Sequence, residues 1–460
     1  MFYQKDTIAA ISTALGEGAI GIVRMSGPEA LKIANQVFKG SNLEEAATHT
    51  VHYGHLISPK TERVVDEVMV NILLGPRSFT TEDVVEINCH GGVIAVQRVL
   101  ELLLENGARL SQPGEFSQRA FLNGRIDLSQ AEAIMDIIQA KTERAMDASM
   151  NQLQGSLKEE ISHLRQKMLE TLAQVEVSID YPEYDGIEEL SFDQLLETSR
   201  EIRHETLNLL KKASQGRMFR EGIRTAIIGR PNVGKSSLLN ALLGEEKAIV
   251  TEIAGTTRDT IEEYITINGV PLHLIDTAGI RQTDDLVEQI GVKRSEEAIQ
   301  EADLLVLVLN QSEALQEEDL RLLEQTKDYT RLILLNKQDL PTAIDSEILS
   351  QHANTDEVIK ISVLEELGME DFQEKITELF FAGEIEQGDM NYLLNTRHTQ
   401  LLREVIDSLD EVIQGAEMGV PIDLIQIDYT HAWNLLGEIT GESVQDELIT
   451  TLFSEFCLGK

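Results

Sequence analysis

The sequence predicts a multidomain chain, α/β plus α: an N-terminal α+β domain, a helical domain, and a P-loop α/β domain inserted into the helical one. Three observations carry this reading. The run Gly229-Arg230-Pro231-Asn232-Val233-Gly234-Lys235-Ser236-Ser237-Leu238 lies between an apolar strand (225–228) and an apolar helix (237–243), the context a phosphate-binding turn requires. Apolar residues at spacings of three and four flank this region on both sides. At 460 residues the chain has length for about two to four domains with sizeable cores.

In chain order, residues 1–118 read as mixed strands and helices, with strands at 19–24 and 67–74, a helix at 29–37 and another opening on Gly91 and Gly92 and running to 104. Residues 119–221 form the first helical part. Leu153, Leu157, Ile161, Leu164, Met168, Leu172, Val175 and Ile179 make one apolar stripe, predicting a long helix closed by Pro182. A second helix is expected over 192–210. Residues 222–382 form the P-loop block, with a hairpin turning at Asn268-Gly269. The helical stripe resumes in 383–460 at Leu402, Val405, Ile406, Leu409, Val412 and Ile413. Similar helical stretches on either side favour one helical domain holding the P-loop block as an insertion.

The P-loop block supplies a nucleotide site. Backbone N–H groups of Asn232, Val233, Gly234, Lys235, Ser236 and Ser237 can wrap phosphates at a helix N-terminus. Lys235 reaches the outer phosphates, and the Ser236 hydroxyl suits magnesium. A strand runs into Asp276, Thr277, Ala278 and Gly279, whose carboxylate can hold magnesium through water and whose glycine N–H can meet the terminal phosphate. The segment Thr251, Glu252, Ile253, Ala254, Gly255, Thr256, Thr257, Arg258 and Asp259 reads as a switch, with Thr257 the second magnesium hydroxyl. Strand 332–335 ends in Asn336, Lys337, Gln338 and Asp339. The Asp339 carboxylate can accept two hydrogen bonds from guanine, and adenine lacks the N1 donor. Ser362, after a last strand at 358–361, stands where guanine O6 is met; Val363 replaces the alanine common in related GTPases. Ile280 stands where small signalling GTPases place the glutamine that orients water, so another group is needed. Asp284, Asp285 and Glu288 are acidic residues downstream, which the sequence alone also reads as a solvated loop.

Charge and composition bound the rest. With 39 Lys+Arg against 79 Asp+Glu, the formal charge is −40. Such a surface repels nucleic-acid backbones, so contact with one needs a local basic patch or a basic partner. Cys89 and Cys457 lack the spacing of a disulfide framework or zinc ribbon, and Cys89 reads as a small buried residue at a strand end. His49, His52 and His55 lie in an extended stretch that turns alternate residues to opposite faces, which disfavours a metal site. The N-terminus carries no signal segment and no apolar run reaches spanning length, so a cytoplasmic protein without membrane contact is expected.

Further runs carry a resemblance: Phe79-Thr80-Thr81-Glu82-Asp83-Val84-Val85-Glu86, His90-Gly91-Gly92, Pro113-Gly114-Glu115-Phe116, Arg119-Ala120-Phe121-Leu122-Asn123, Gly255-Thr256-Thr257-Arg258-Asp259 and the terminal Phe456-Cys457-Leu458-Gly459-Lys460. Together with the guanine signature, the chain resembles the MnmE (TrmE) family of tRNA-modification GTPases over its whole length. The resemblance implies a Ras-like GTPase domain and a folate-binding N-terminal domain that makes a homodimer. It implies a tetrahydrofolate derivative held by Arg24, Glu86, Arg125 and Lys460, and a role for Cys457 near that ligand. It implies GTP with Mg2+ and K+, the potassium at Asn232, Thr251, Ile253 and Thr256, and Glu288 orienting the hydrolytic water. It also implies a flavoprotein partner, MnmG (GidA), using FAD and NADH in a heterotetramer or larger complex. Together they would add an aminomethyl or carboxymethylaminomethyl group to carbon 5 of the wobble uridine of certain tRNAs, the one-carbon unit coming from folate. A ribosome-assembly GTPase would share the guanine motifs but calls for a basic appendage, which this acidic chain lacks.

Overall fold

The structure, a computed structural model, describes residues 6–180, 187–245, 263–268, 270–275, 299–381, 394–443, 446–454, 456 and 459. The chain begins with β1 (Ile8–Ile11), β2 (Gly18–Ser26), α1 (Ala30–Val37), β3 (Phe38–Lys39), β4 (Thr50–Ile57), β5 (Val64–Leu73) and β6 (Val84–Gly91). There follow α2 (Val93–Glu105), β7 (Arg109–Leu110), α3 (Glu115–Leu122), α4 (Leu128–Gln139), α5 (Glu143–Gln154), α6 (Ser156–Asp180) and α7 (Ile187–Glu221). The P-loop block holds β8 (Ile223–Ile228), α8 (Lys235–Glu245), β9 (Glu263–Ile267), β10 (Val270–Ile275), β11 (Leu304–Asn310), α9 (Glu317–Gln325), β12 (Arg331–Asn336), α10 (Ser346–His352), β13 (Val358–Lys360) and α11 (Met369–Phe381). Helices α12 (Thr396–Glu417), α13 (Ile422–Thr440) and α14 (Asp446–Ser454) close the chain.

The chain divides into two compact units, and the first comprises Met1–Met135, Leu153–Thr206 and Gln400–Lys460. Its sheet has the order β3-β4-β5-β6-β2-β1-β7, antiparallel except where β7 joins β1. Strand alternation divides its residues cleanly. Val23, Met25, Val68, Val70, Val85 and Ile87 point to one face and pack under α1 and α2. The pairs Tyr53–Met69, Met69–Asn88, Asn71–Glu86 and Glu86–Arg24 lie across the other face. Next to β1 that second face is covered by Phe116 from α3, packed on Ile8 and Ala10.

The helical part of this unit is joined across the insertion. Arg165 of α6 stacks over Trp433 of α13 at 4.1 Å, and the Trp433 indole donates to the Arg165 carbonyl at 3.1 Å. Lys167 pairs with Glu201 and Glu205 of α7, and Arg203 of α7 with Asp410 of α12. The chain therefore leaves this helical bundle after Thr206 and returns to it at Gln400.

Three helical expectations change. The stripe from Leu153 to Ile179 belongs to two helices, because Gly155 takes φ +107° between α5 and α6. Leu153 instead packs against the cluster that includes Ala120, Ile126 and Leu128. The helix expected over 192–210 runs from Ile187 to Glu221, directly into the second unit, without a separate linker. The helix expected from Gly91 starts at Val93, because Gly91 still pairs with Gly18 in the sheet.

The second unit comprises Asp136–Gln152 and Leu207–Thr399. Its sheet has the order β13-β12-β11-β8-β10-β9, parallel but for the β9–β10 hairpin. Strands β8, β11 and β12 are buried and mostly apolar, as a sheet covered on both faces requires, the buried polar residues being Thr225 and the strand-end Asn310, Arg331 and Asn336. Segment 136–152 joins this unit through Lys141, whose amine lies 5.7 Å from the centre of the Tyr264 ring on β9. Tyr264 stacks in turn on His273 of β10 at 4.5 Å.

Candidate functional site

The turn after β8 is built from backbone conformations that side chains resist. Gly229, Asn232 and Gly234 take φ of +146°, +62° and +107°. At Gly234 a Cβ would lie 2.2 Å from the Asn336 amide nitrogen, and at Gly229 one would lie 2.4 Å from the Val308 carbonyl oxygen. Glycine at both positions is therefore required by close approach as well as by φ. Helix α8 begins at Lys235, so its free N–H groups face the loop that precedes it. Asn232, Ser236 and Ser237 are exposed at that mouth, while Val233 is buried.

Lys235 folds back over the loop. Its amine donates to the carbonyls of Gly229 at 2.6 Å and Arg230 at 2.7 Å. Burial holds its pKa below the ordinary lysine value, with Glu318 opposing that shift. An anion beside the amine would supply the charge that burial leaves missing.

Across the sheet edge, Asn336 ties three loops together. Its amide donates to the Val233 carbonyl at 2.8 Å, and its oxygen accepts the N–H groups of Lys337 at 2.8 Å and Val363 at 3.2 Å. Asn336, expected among the nucleotide contacts, also sets the spacing between the P-loop and the base loops through these bonds. Lys337 takes φ +68°. Ser362, fully buried, donates to Asp339 at 2.6 Å. That bond fixes one carboxylate oxygen of Asp339 and orients the group. P-loop, Asn336, Asp339 and Ser362 thus gather at the carboxyl ends of parallel strands, where ligands bind in open α/β sheets. Thr251, Glu252, Ile253, Ala254, Gly255, Thr256, Thr257, Asp276, Thr277, Ala278, Gly279 and Glu288 lie outside the described residues.

The first unit carries a second constellation. Arg24 and Glu86, directly opposite on β2 and β6, form an ion pair with Nε–Oε1 of 2.9 Å on the open sheet face. Phe116 lies beneath the guanidinium at 5.8 Å. The chain end reaches the neighbouring strand: the Ser12 hydroxyl donates to the Gly459 carbonyl at 3.1 Å, just past β1, whose Ala10 pairs with Arg24. Arg125 lies over the Phe79 ring at 5.5 Å, and Phe79 packs on the same Ile8, Ala10 and Phe116 cluster; Arg125 also lines a surface cavity of about 390 Å³ with His49, Arg77 and Ser78. Cys457 and Lys460 lie outside the described residues. Cys89 is buried in β6, its thiol donating to the Gly21 carbonyl at 3.3 Å, and burial pushes that thiol up to about 11. His52 is hydrogen-bonded to Ser41 and Thr50, and no group of three or more metal-ligating side chains occurs among the described residues.

The runs at 79–86, 113–116 and 119–123 have a physical basis that the sequence did not reveal. Arg119, 2% exposed, donates to Asp6 at 2.7 Å, Glu115 at 2.9 Å and Glu82 at 3.2 Å. Arg109 completes the cage with Asp6 and Glu115, both at 2.6 Å. Burial would raise the Asp6 and Glu115 carboxyls, but their bonds to Arg109 and Arg119 outweigh it and hold both below the ordinary range. Ser26 links to Glu82 and Thr80, and Asn123 donates to the Thr80 carbonyl at 2.7 Å. These residues hold the loop before β6 against α3.

Residues 7–125 match the N-terminus of the GTP-binding protein TrmE, and residues 128–457 match the MnmE helical domain. The chain is 58% identical over 457 residues to the tRNA modification GTPase MnmE of Enterococcus faecalis, covering 99% of this chain and 98% of that one. It is 58% identical over 456 residues to the tRNA modification GTPase MnmE of Ligilactobacillus salivarius, with coverage of 99% and 98%. For the protein of the same description from Bacillus subtilis the identity is 55% over 458 residues, with coverage of 99% and 100%. With its P-loop, guanine-type loops and N-terminal ionic core on one chain, this protein belongs to the MnmE (TrmE) family of tRNA modification GTPases.

Proposed function

We propose that this chain is a potassium-dependent GTP hydrolase of the cytoplasm. Together with a flavin-dependent partner of the MnmG type, which uses FAD and NADH, it adds a carboxymethylaminomethyl or aminomethyl group to carbon 5 of the wobble uridine of certain tRNAs. The single observation that carries the reading is the convergence of the P-loop, Asn336, Asp339 and Ser362 at one sheet edge.

In this reading the P-loop N–H groups and Lys235 hold the phosphates, and Asp339, oriented by Ser362, accepts from guanine. Ser236 and Thr257 hold Mg2+, which neutralises phosphate charge when bound. Potassium sits against Asn232 and the carbonyls of Thr251, Ile253 and Thr256, adding positive charge where an arginine would otherwise be needed. Glu288 orients the water that Ile280 cannot. The left-handed backbone at Asn232 and its exposure at the mouth of the loop support its part.

Arg24, Glu86, Arg125 and Lys460 hold a tetrahydrofolate derivative, with Cys457 close by. Supporting this are the Arg24–Glu86 pair over Phe116 and the docking of Gly459 beside β1. A carboxylate can accept the N–H donors of a pterin ring, and guanidinium and ammonium groups suit its glutamate carboxylates. The same sheet face exposes Val51 (62%), Tyr53 (66%), Met69 (44%) and Ile20 (56%), an apolar area suited to a homodimer contact. With a charge of −40 on this chain, the partner supplies most of the basic surface for tRNA. Among the described residues no helix is long and apolar enough to cross a membrane.

The test is steady-state GTP hydrolysis with potassium, then sodium, as the only monovalent cation, for wild type and Glu288→Ala. Strong potassium stimulation, lost in the variant while nucleotide still binds, supports the reading. Equal rates in both salts with Glu288 dispensable would reject it.

A further inference from the structure

Arg230, inside the P-loop, has a partner that phosphate binding does not call for. Its Nε lies 2.8 Å from both carboxylate oxygens of Asp319, and a terminal nitrogen lies 3.3 Å from Glu313. Asp319 is 2% exposed and also accepts the Gln316 N–H at 2.9 Å, as the first-turn acid of the capping box on α9. Glu313 accepts from Asn310 at the end of β11 at 2.6 Å. The main chain of Arg230 meanwhile accepts the Lys235 amine at 2.7 Å. The side chain of Arg230 is thus locked to a helix start, and its carbonyl holds the phosphate-binding lysine. Pro231 follows with its fixed φ, then Asn232 in the left-handed conformation.

We infer that the Arg230–Asp319 ion pair is a positioning device for the nucleotide site: it fixes the shoulder of the P-loop against α9 and so presets Lys235 and Asn232. A glycine-rich loop loses much conformational freedom on ordering, and a buried charge-assisted bond made before the ligand arrives removes part of that cost. Arg230 acts through Lys235 and the loop backbone, so it is a positioning residue and needs no contact with the phosphates. The inference rests on the GTP reading of the same site.

The test measures GTP and GDP affinity and the split between KM and kcat on the full chain, with thermal unfolding of each variant free of nucleotide. Arg230→Met is expected to weaken nucleotide binding roughly 10- to 100-fold, with KM raised more than kcat is lowered. Asp319→Asn is expected to do the same, and the double variant to be no weaker than the worse single, because both remove one interaction. Arg230→Lys recovers part of the loss, since one ammonium does not reproduce the planar guanidinium that reaches Asp319 through Nε and Glu313 through a terminal nitrogen. If the methionine variant proves unstable, the lysine variant decides alone, with a several-fold weakening expected at near-normal melting temperature. Wild-type affinity in Arg230→Lys and in every folded Arg230→Met preparation, or fully additive losses in the double variant, would overturn the inference. Failure of the wild type to bind GTP or GDP would instead reject the GTP reading itself.

Discussion

Arg119 and Lys235 are both cations withdrawn from water, one in each unit, and they differ in company. Arg119 is enclosed by the carboxylates of Asp6, Glu82 and Glu115. Lys235 rests on two neutral carbonyls, and no described carboxylate lies within ion-pair distance of its amine. In a chain with 79 acidic residues against 39 basic ones, finding a carboxylate is easy, so a half-buried lysine with no described carboxylate beside it is informative. Carboxylates commit a cation to the fold, because releasing it would leave them buried and unpaired. Carbonyl oxygens hold an amine loosely enough for an incoming phosphate to replace them. The first arrangement holds a loop against a helix; the second keeps a charge ready for a ligand.

Exchanging the two roles by mutation should separate activity from stability. Lys235→Ala is expected to lower GTP turnover by about 100-fold or more, with little change in melting temperature, since no partner charge is stranded. Comparable turnover in the variant would deny Lys235 its part. Arg119→Met should do the reverse. It removes the cation shared by Asp6, Glu82 and Glu115, leaving Arg109 to the first and last, and is expected to cost about 3–5 kcal/mol in unfolding free energy, read by denaturant titration, while nucleotide affinity of folded protein stays the same.

Acid reads the same cage without mutation. The Asp6 and Glu115 carboxyls sit below their ordinary values in the fold, so each contributes stability that is fully present above the unfolded pKa, near 4, and is lost as pH falls through the lower folded value. The first unit should therefore lose stability below about pH 4, and the Arg119→Met variant should show a flatter acid limb. Equal acid slopes would mean that other carboxylates dominate. The smallest effect belongs to the exposed pair Arg200–Glu417, whose removal is expected to change stability by less than about 1 kcal/mol.

The two regions were not equally legible in the sequence. The nucleotide site could be read because its parts follow apolar strands in fixed order, and glycine at 229 and 234 leaves a mark that composition cannot hide. Its fine structure could not: nothing in the residue type of Asn336 shows that its hydrogen bonds also staple Val233 to Val363. The cage around Arg119 was invisible because Asp6 and Glu82 lie 113 and 37 residues away along the chain. Runs such as 79–86 and 113–116 marked the family without disclosing that they close an ion network. The helical stripe misled at Gly155, since three-and-four spacing continues across a break that only φ reveals. Likewise, nothing in the composition of 136–152 signals that this segment packs with the P-loop unit, through Lys141 and Tyr264.

The most direct test of the nucleotide site is base selectivity, measured as the affinities of GTP, ATP and xanthosine triphosphate for wild type and Asp339→Asn. Tight GTP binding with ATP excluded in the wild type is the expected result, with the substitution weakening GTP and favouring the xanthine nucleotide, whose N1–H and O2 match an amide. Equal binding of ATP and GTP by the wild type, or no change on substituting Asp339, would contradict it.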